Sequence, residues 1–161
     1  MSQKTTRRDF IQQTTVLGAA FWVSGAPRAF AKENSPLERV RYACIGVGGK
    51  GRSDSADAGK HGDVVAICDI DEENLSKSSR KFKEAETFVD YREMLDKMGD
   101  KIDAVTVSTP DHSHAPASAM AMKMGKACFT QKPLTHSVYE ARRLAEIAKE
   151  TGVPTMMGNQ G

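Results

Sequence analysis

Length, composition and charge already exclude several classes of protein. The sequence has 161 residues, with 23 Lys and Arg, 21 Asp and Glu, and three Cys without C-x-x-C spacing. That cysteine pattern argues against a disulfide framework or a zinc site, and basic residues scattered among acidic ones argue against nucleic-acid binding.

The amino terminus has the three parts of an export signal. Arg7 and Arg8 belong to a basic start, residues 14–26 are largely apolar, and a small-residue A-x-A motif ends at Ala31. The apolar stretch is shorter than the roughly 20 residues of a membrane-spanning helix. Because the paired arginines resemble a twin-arginine signal, we predict a signal peptide over residues 1–31 and export of the folded protein to the periplasm. A disordered basic tail is the alternative.

The rest of the chain is nearly neutral. Residues 1–31 hold four of the 23 Lys and Arg and one of the 21 Asp and Glu, so 19 basic and 20 acidic residues follow. We therefore expect no nucleic-acid partner and no membrane span in the mature chain. Residues 32–38 are polar and contain Pro36, which predicts a linker before a single domain over residues 39–161.

Strand-like and helix-like segments then alternate. β-rich runs predict strands at residues 39–45, 63–69, 87–89, 102–108, 127–130 and 153–157. The clearest helix is predicted over residues 137–151, where Ser137 and Glu140 have capping-box spacing and Gly152 follows. Another is predicted from Pro116 to about residue 124. The alternation predicts an α/β fold with a doubly wound parallel sheet.

A glycine-rich loop follows the first predicted strand. Gly46, Gly48 and Gly51 fit G-x-G-x-x-G, in which the glycines allow a tight turn, a close pyrophosphate and close helix–strand packing. Asp69 ends the second predicted strand, where its carboxylate would bind ribose hydroxyls and repel a 2′-phosphate. Together they predict a Rossmann-type domain that prefers NAD to NADP. The alternative is an ordinary βα turn with a solvated aspartate.

The loop after the fourth predicted strand carries polar side chains to the same edge of the sheet. It runs from Ser108 to His114, and ligands of open α/β sheets lie at the carboxyl ends of strands. His112 and His114 could pair with Asp111 at a metal, but the ligand set would be incomplete, so we predict no metal site.

Lys132 follows the fifth predicted strand, at the same edge of the sheet. A lysine there can donate to a substrate oxygen and act as an acid or base. A solvated lysine without a catalytic role is the alternative.

Together these motifs resemble a known family. GVGGKG, ICDID, DYREML, STPDHSHA, TQKPLTH and MGNQ, in this order, are similar to the amino-terminal domain of the Gfo/Idh/MocA oxidoreductases, over residues 40–161. With its leader, the chain resembles an exported bacterial branch. The resemblance implies NAD(P) binding by the glycine loop and Asp69, and it implies that Thr109, Pro110 and His114 approach the nicotinamide. Lys132 matches the lysine of the family's E-K-P motif.

The resemblance and the residues together predict a catalytic Lys132 and the following cofactor-binding residues: Gly46, Gly48, Gly49, Lys50, Gly51, Asp69, Ile70, Ser108, Thr109, Pro110, His114, Gln131 and Lys132. Gln131 departs from the glutamate that is usual in the family motif.

The resemblance also implies a reaction, namely hydride transfer between NAD and a sugar- or inositol-like polyol. In the family a second α+β domain supplies the substrate surface. We expect that domain to be absent from this chain, which would then be an inactive cofactor-binding fragment. A homo-oligomer that forms through the second domain is an expectation for the complete protein. The alternatives are an NAD-dependent, redox-assisted glycosidase or lyase acting on glycosides, and a nucleotide-binding fragment without turnover.

Overall fold

The computed structural model describes residues 39–159. The predicted signal peptide (residues 1–31) and linker (residues 32–38) lie outside the described residues, so both remain predictions. Within residues 39–159, six strands form one sheet: β1 Val40–Ile45, β2 Gly62–Cys68, β3 Glu86–Phe88, β4 Ala104–Val107, β5 Ala127–Thr130 and β6 Thr155–Met157. Every neighbouring pair is parallel, as the alternation of strands and helices predicts.

Five α-helices occur in the same part of the chain: α1 Gly49–His61, α2 Glu72–Lys81, α3 Tyr91–Met98, α4 His114–Lys123 and α5 Val138–Thr151. Short 3-10 turns at Gly99–Lys101 and Asp111–Ser113 precede β4 and α4. None of the helices among residues 39–159 is long and apolar enough to cross a membrane.

The strand order places a crevice beside β1. The order is β3-β2-β1-β4-β5-β6, so the chain builds outward from β1 in one direction and then, starting with β4, in the other. The loops after β1 and β4 therefore diverge to opposite sides of the sheet. Ligands of open α/β sheets bind at this kind of switch point.

Apolar side chains fill a core on each face of the sheet. Successive residues of a strand point to opposite faces, so Ile45 packs in one cluster and Cys44 packs in the other. Leu95 of α3 and Leu144 of α5 belong to the first cluster, whereas Ala58 of α1 belongs to the second. The two covered faces confirm the predicted doubly wound, Rossmann-type α/β fold.

The ends of α5 follow their local sequence signals. The Glu140 N–H donates to Ser137 Oγ at 3.3 Å, and the Ser137 N–H donates to Glu140 Oε2 at 2.9 Å. This capping box satisfies N–H groups that the first helical turn leaves free. Gly152 follows the helix with a φ of +65°, a left-handed conformation that a glycine adopts at little cost.

Three predicted boundaries are wrong by two residues, namely the starts of α4, β4 and β6, the last of which lies at Thr155 instead of residue 153. α4 begins at His114 instead of Pro116, because a 3-10 turn leads directly into it. Pro116 still lies in the first turn, where its missing N–H has no helical partner to lose. β4 begins at Ala104 instead of Ile102, because the Ile102 N–H closes the preceding 3-10 turn.

The three cysteines are buried and free. Burial raises the pKa of Cys44 to about 11 and the pKa of Cys68 to about 12. Both thiols therefore stay protonated near neutral pH and behave as small apolar side chains.

Candidate functional site

A cavity of about 640 Å³ lies at the carboxyl edge of the sheet, beside the switch point. Its volume is typical of a small-molecule site. The structure brings nine of the predicted cofactor-binding residues to its walls: Gly46, Gly48, Gly49, Lys50, Asp69, Ile70, Ser108, Thr109 and Pro110. Four other predicted residues, Gly51, His114, Gln131 and Lys132, do not line it.

The glycine loop brings the backbone close to its neighbours. Gly46 has a φ of +80°, and a Cβ there would lie 2.6 Å from the backbone oxygen of Ser108. A Cβ on Gly51 would lie only 1.9 Å from the backbone oxygen of Gly46. Both distances are shorter than atoms tolerate, so the turn after β1 and the start of α1 require glycine at these two positions.

The amino terminus of α1 is open toward the cavity. Gly48 is its N-cap residue and, as a glycine, has no side chain that could cap the first helical N–H groups. Gly48, Gly49 and Lys50 all line the cavity. Free N–H groups at a helix start carry a partial positive charge, so this end of α1 favours an anionic group such as a phosphate.

Asp69 sits against the glycine loop. Its Oδ2 accepts hydrogen bonds from the N–H groups of Val47 at 2.9 Å and Gly48 at 3.1 Å, and its Oδ1 accepts from the Asp71 N–H at 3.0 Å. These bonds fix the carboxylate at the mouth of the cavity. A carboxylate has about four acceptor positions, so Asp69 can still accept from a hydroxyl group of a ligand.

Exposed apolar side chains flank the carboxylate. Ile70 is 90% exposed and Val89 is 53% exposed, and both line the cavity together with the half-buried Tyr91. Small-molecule sites are lined mainly by apolar and aromatic side chains of this kind. These three side chains offer a surface on which a flat apolar ring can pack.

Asn74 is a site residue that the sequence alone does not reveal. It lies in α2 and lines the cavity, and its Nδ2 would lie 2.4 Å from a Cβ placed on Gly48. The absence of a side chain at Gly48 therefore makes room for an amide that can hydrogen-bond a ligand. Asn74 shares no motif with the glycine loop, and only the packing of α2 against that loop brings the two together.

Asp54 is a second residue that the sequence does not single out. It is 8% exposed, and its carboxylate accepts from Lys50 Nζ at 2.8 Å, Ser108 Oγ at 2.7 Å and Gln131 Nε2 at 2.9 Å. Burial raises the pKa of Asp54, but the hydrogen bonds from Lys50, Gln131 and Ser108 outweigh that effect and hold it below its ordinary value. Asp54 is therefore an ionised group that links α1 to the loops after β4 and β5.

His114 joins two loops from behind the cavity. It is 1% exposed, its Nδ1 lies 2.6 Å from the Pro133 oxygen, and its Nε2 lies 2.6 Å from the Thr109 oxygen. Both ring nitrogens are thus engaged with carbonyl groups, and the pairing of His114 with His112 at a metal is not formed. The predicted approach of His114 to a nicotinamide stays a prediction.

Lys132 projects from the loop after β5. Its side chain is exposed, its N–H donates to Gln131 Oε1 at 2.8 Å, and the Lys132–Pro133 peptide bond is cis. Gln131 itself is 5% exposed and directs its amide toward Asp54. The structure thus gives the two neighbours different surroundings, with Gln131 inside the protein and Lys132 at the surface.

Comparison with known proteins bears on this arrangement. Residues 40–159 match the sequence profile of GFO_IDH_MocA, described as an oxidoreductase family with an NAD-binding Rossmann fold. Glycosyl hydrolase family 109 protein 1 of Shewanella sp. (strain ANA-3) is 35% identical over 133 residues, which cover 75% of this chain and 28% of that protein.

Two inositol dehydrogenases are also similar. Inositol 2-dehydrogenase of Rubrobacter xylanophilus is 28% identical over 125 residues, covering 71% of this chain and 33% of that protein. The crystal structure of myo-inositol 2-dehydrogenase from Lactobacillus plantarum superposes with a TM-score of 0.70 at 25% identity, covering 75% of this chain and 36% of that one. The chain thus spans about a third of the length of these relatives.

Proposed function

The chain belongs to the Gfo/Idh/MocA oxidoreductase family and contains its NAD-binding Rossmann domain, and from this membership we propose a site and a substrate class. NAD occupies the cavity beside the switch point, and the complete protein transfers hydride between NAD and a sugar- or inositol-like polyol. One observation carries the proposal: the glycine loop, Asp69 and the Ser108–Pro110 loop form the walls of a single cavity.

The residues present fit a dinucleotide. The open start of α1, with Lys50 beside it, suits the pyrophosphate. Asp69 is held where it can accept from ribose hydroxyls, and the exposed side chains of Ile70 and Val89 suit the adenine. Thr109 and Pro110, on the opposite side of the switch point, are assigned to the nicotinamide half.

Each group has a defined task in the proposed reaction. NAD, when bound, supplies the hydride acceptor. The backbone of the glycine loop and Asp69 hold the cofactor in place, which fixes its orientation relative to the β5 loop. During oxidation the neutral amine of Lys132 accepts the hydroxyl proton of the substrate, and during reduction its ammonium returns that proton to the oxygen. The substrate contacts themselves are proposed to come from the part of the relatives that this chain does not span.

We predict that the chain prefers NAD to NADP and that Asp69→Ala removes this preference. The carboxylate repels a 2′-phosphate, and the substitution also frees the N–H groups of Val47 and Gly48 that it now holds. The affinity for NAD should fall about tenfold, which corresponds to about 1.4 kcal/mol of binding free energy. The affinity for NADP should change less. Fluorescence titration with both cofactors measures the ratio.

Glu72→Ala is the matched control for this experiment. Glu72 is acidic, exposed and close to Asp69 in sequence, but it does not line the cavity. Equal affinity of the parent chain for NAD and NADP would overturn the assignment of Asp69.

A second candidate function is supported by the 35% identity to a glycosyl hydrolase family 109 protein. In that case the protein oxidises a sugar carbon only transiently, which acidifies the neighbouring C–H bond and permits elimination of the glycosidic group. The two functions differ in their redox balance. A version of the protein with the length of its relatives would accumulate NADH from a polyol as a dehydrogenase, whereas a glycosidase would cleave an aryl glycoside without net NADH.

We also propose export by the twin-arginine route. Its support is the order of Arg7, Arg8, the apolar stretch and Ala31 in the sequence. A protein that needs NAD has to bind it where NAD is made, and this route carries folded proteins with their cofactor in place.

Export provides a separate prediction. Arg7→Lys combined with Arg8→Lys should retain the precursor in the cytoplasm, because the receptor reads the arginine pair and not only its charge. Cell fractionation and immunoblotting measure the distribution. Arg28→Lys is the matched control, since it also preserves charge but lies outside the pair. Normal export of the double variant would indicate a general secretion signal instead.

A further inference from the structure

The side chain of Gln131 uses both ends of its amide inside the protein. Its Nε2 donates to Asp54 Oδ2 at 2.9 Å, and its Oε1 accepts from the N–H of Lys132 at 2.8 Å. The residue is 5% exposed. One end must therefore donate while the other accepts, and an ionised carboxylate at position 131 could only accept.

Asp54 supplies the negative charge at this point. Its carboxylate has side-chain donors from the glycine loop and from the loop after β4 as well, namely Lys50 and Ser108. Lys50 and Ser108 line the proposed cofactor cavity, whereas Gln131 leads to Lys132. A continuous set of hydrogen bonds thus runs from the cavity wall to the backbone of the lysine.

We propose that Asp54 is a positioning residue that acts through Gln131 to fix the backbone of Lys132, and that positions 54 and 131 form one coupled pair that accommodates a single ionised carboxylate. This pairing accounts for a glutamine where the family motif usually has glutamate. The part of the inference that concerns Lys132 as a catalytic group rests on the proposed function, whereas the coupling of Asp54 and Gln131 does not.

The proposed pair predicts how the stability of a Gln131→Glu variant depends on pH. In Gln131→Glu the new carboxyl group faces Asp54 across the present 2.9 Å contact. Like charges so close raise the pKa of one of the two carboxyl groups in the folded state. The folded protein then holds a proton that the unfolded chain has lost, so the variant loses stability as pH rises from 5 to 8.

The test compares Gln131→Glu, Asp54→Asn and the double variant Asp54→Asn with Gln131→Glu. In the double variant the new amide at position 54 donates to the new carboxylate at position 131, so the hydrogen bond is kept with its ends exchanged. Asp57→Asn is the control, because Asp57 lies one turn further along α1 and its carboxylate is exposed. Each chain is unfolded thermally at pH 5, 6, 7 and 8, and the amide resonance of Lys132 is followed by NMR.

Between pH 5 and pH 8 we expect the unfolding temperature of Gln131→Glu to fall relative to that of the parent. Its affinity for NAD should fall about tenfold over the same range, a change equivalent to a shift of one pK unit. The Lys132 amide resonance should move in the single variant and return toward its parent position in the double variant. If Gln131→Glu is unable to fold at pH 8 at all, folding of the same variant at pH 5 and folding of the double variant at pH 8 would support the coupling.

Other outcomes overturn the inference. A Gln131→Glu profile parallel to that of the parent, or a double variant as unstable as the sum of the singles, would show that the positions are not coupled. An unmoved Lys132 resonance would remove the positioning role. Failure of the parent chain to bind NAD would count against the proposed function alone, since the unfolding profiles and the resonance do not require the cofactor.

Discussion

Gly51→Ala is expected to destabilise the domain strongly and to weaken cofactor binding. The new Cβ would lie 1.9 Å from the backbone oxygen of Gly46 and 2.8 Å from its carbonyl carbon. Both atoms belong to the main chain of the turn after β1, so no side chain can rotate away to relieve the contact. The start of α1 must then move away from β1, which opens the loop that is proposed to hold the pyrophosphate.

The size of this effect follows from the kind of contact. Overpacking by one methyl group costs about 1 to 3 kcal/mol where side chains can adjust, and a clash with fixed backbone belongs at or above the upper end of that range. We therefore expect the free energy of unfolding to fall by about 3 kcal/mol and the affinity for NAD to fall by about 100-fold, roughly 2.7 kcal/mol. Denaturant unfolding and titration with NAD measure the two quantities separately.

Gly59→Ala is the control on the same helix. A Cβ there would lie 3.1 Å from the edge of the half-buried Phe82 ring, which can shift, and in ordinary contact with Val64 at 3.6 Å. Alanine also favours the helix over glycine by about 1 kcal/mol, so this variant should keep its stability. Parent-like stability and NAD affinity in Gly51→Ala would mean that the approach of α1 to the turn is looser than the structure indicates.

Local signals explain the parts of the fold that the sequence predicts. The capping box at Ser137 and Glu140 and the glycine at 152 depend on residues within one helical turn, and α5 forms where they place it. The glycine loop depends on a strand, a turn and a helix start that are continuous in sequence. Predicted boundaries are wrong where an adjacent turn takes up a residue of the expected strand. At Ile102, for example, the N–H closes the preceding 3-10 turn instead of starting β4.

The site is less predictable because distant segments meet there. Asn74 and Val89 belong to no motif, and they reach the cavity only because α2 and the segment after β3 pack beside the glycine loop. Asp54 looks like any polar residue of a surface helix, yet the loops after β4 and β5 both donate hydrogen bonds to it. For His114 the sequence predicts the position but not the orientation of the side chain. It places the residue after β4 but does not tell which way its ring turns.

Lys132 carries the largest effect that we expect on catalysis, and that effect should appear only in a longer protein. The chain spans about a third of the length of its relatives, so we expect the 161-residue chain to bind NAD without oxidising polyols. Holding the substrate carbon in the correct orientation is worth roughly 7 to 11 kcal/mol of the barrier, and the proposed substrate contacts lie outside this chain. Robust formation of NADH by the chain itself would contradict this expectation.

In a version extended to the length of its relatives, Lys132→Ala is expected to lower kcat by about 10²- to 10⁴-fold, the usual contribution of a positioned acid or base. The affinity for NAD should change little, because Lys132 does not line the cavity. Lys132→Arg tests the proton transfer itself, since a guanidinium keeps the charge but does not release a proton near neutral pH. Lys123→Ala, at an exposed lysine of α4, is the control. If Lys132→Arg retains full activity, the lysine contributes charge alone, and if Lys132→Ala does so, another group moves the proton.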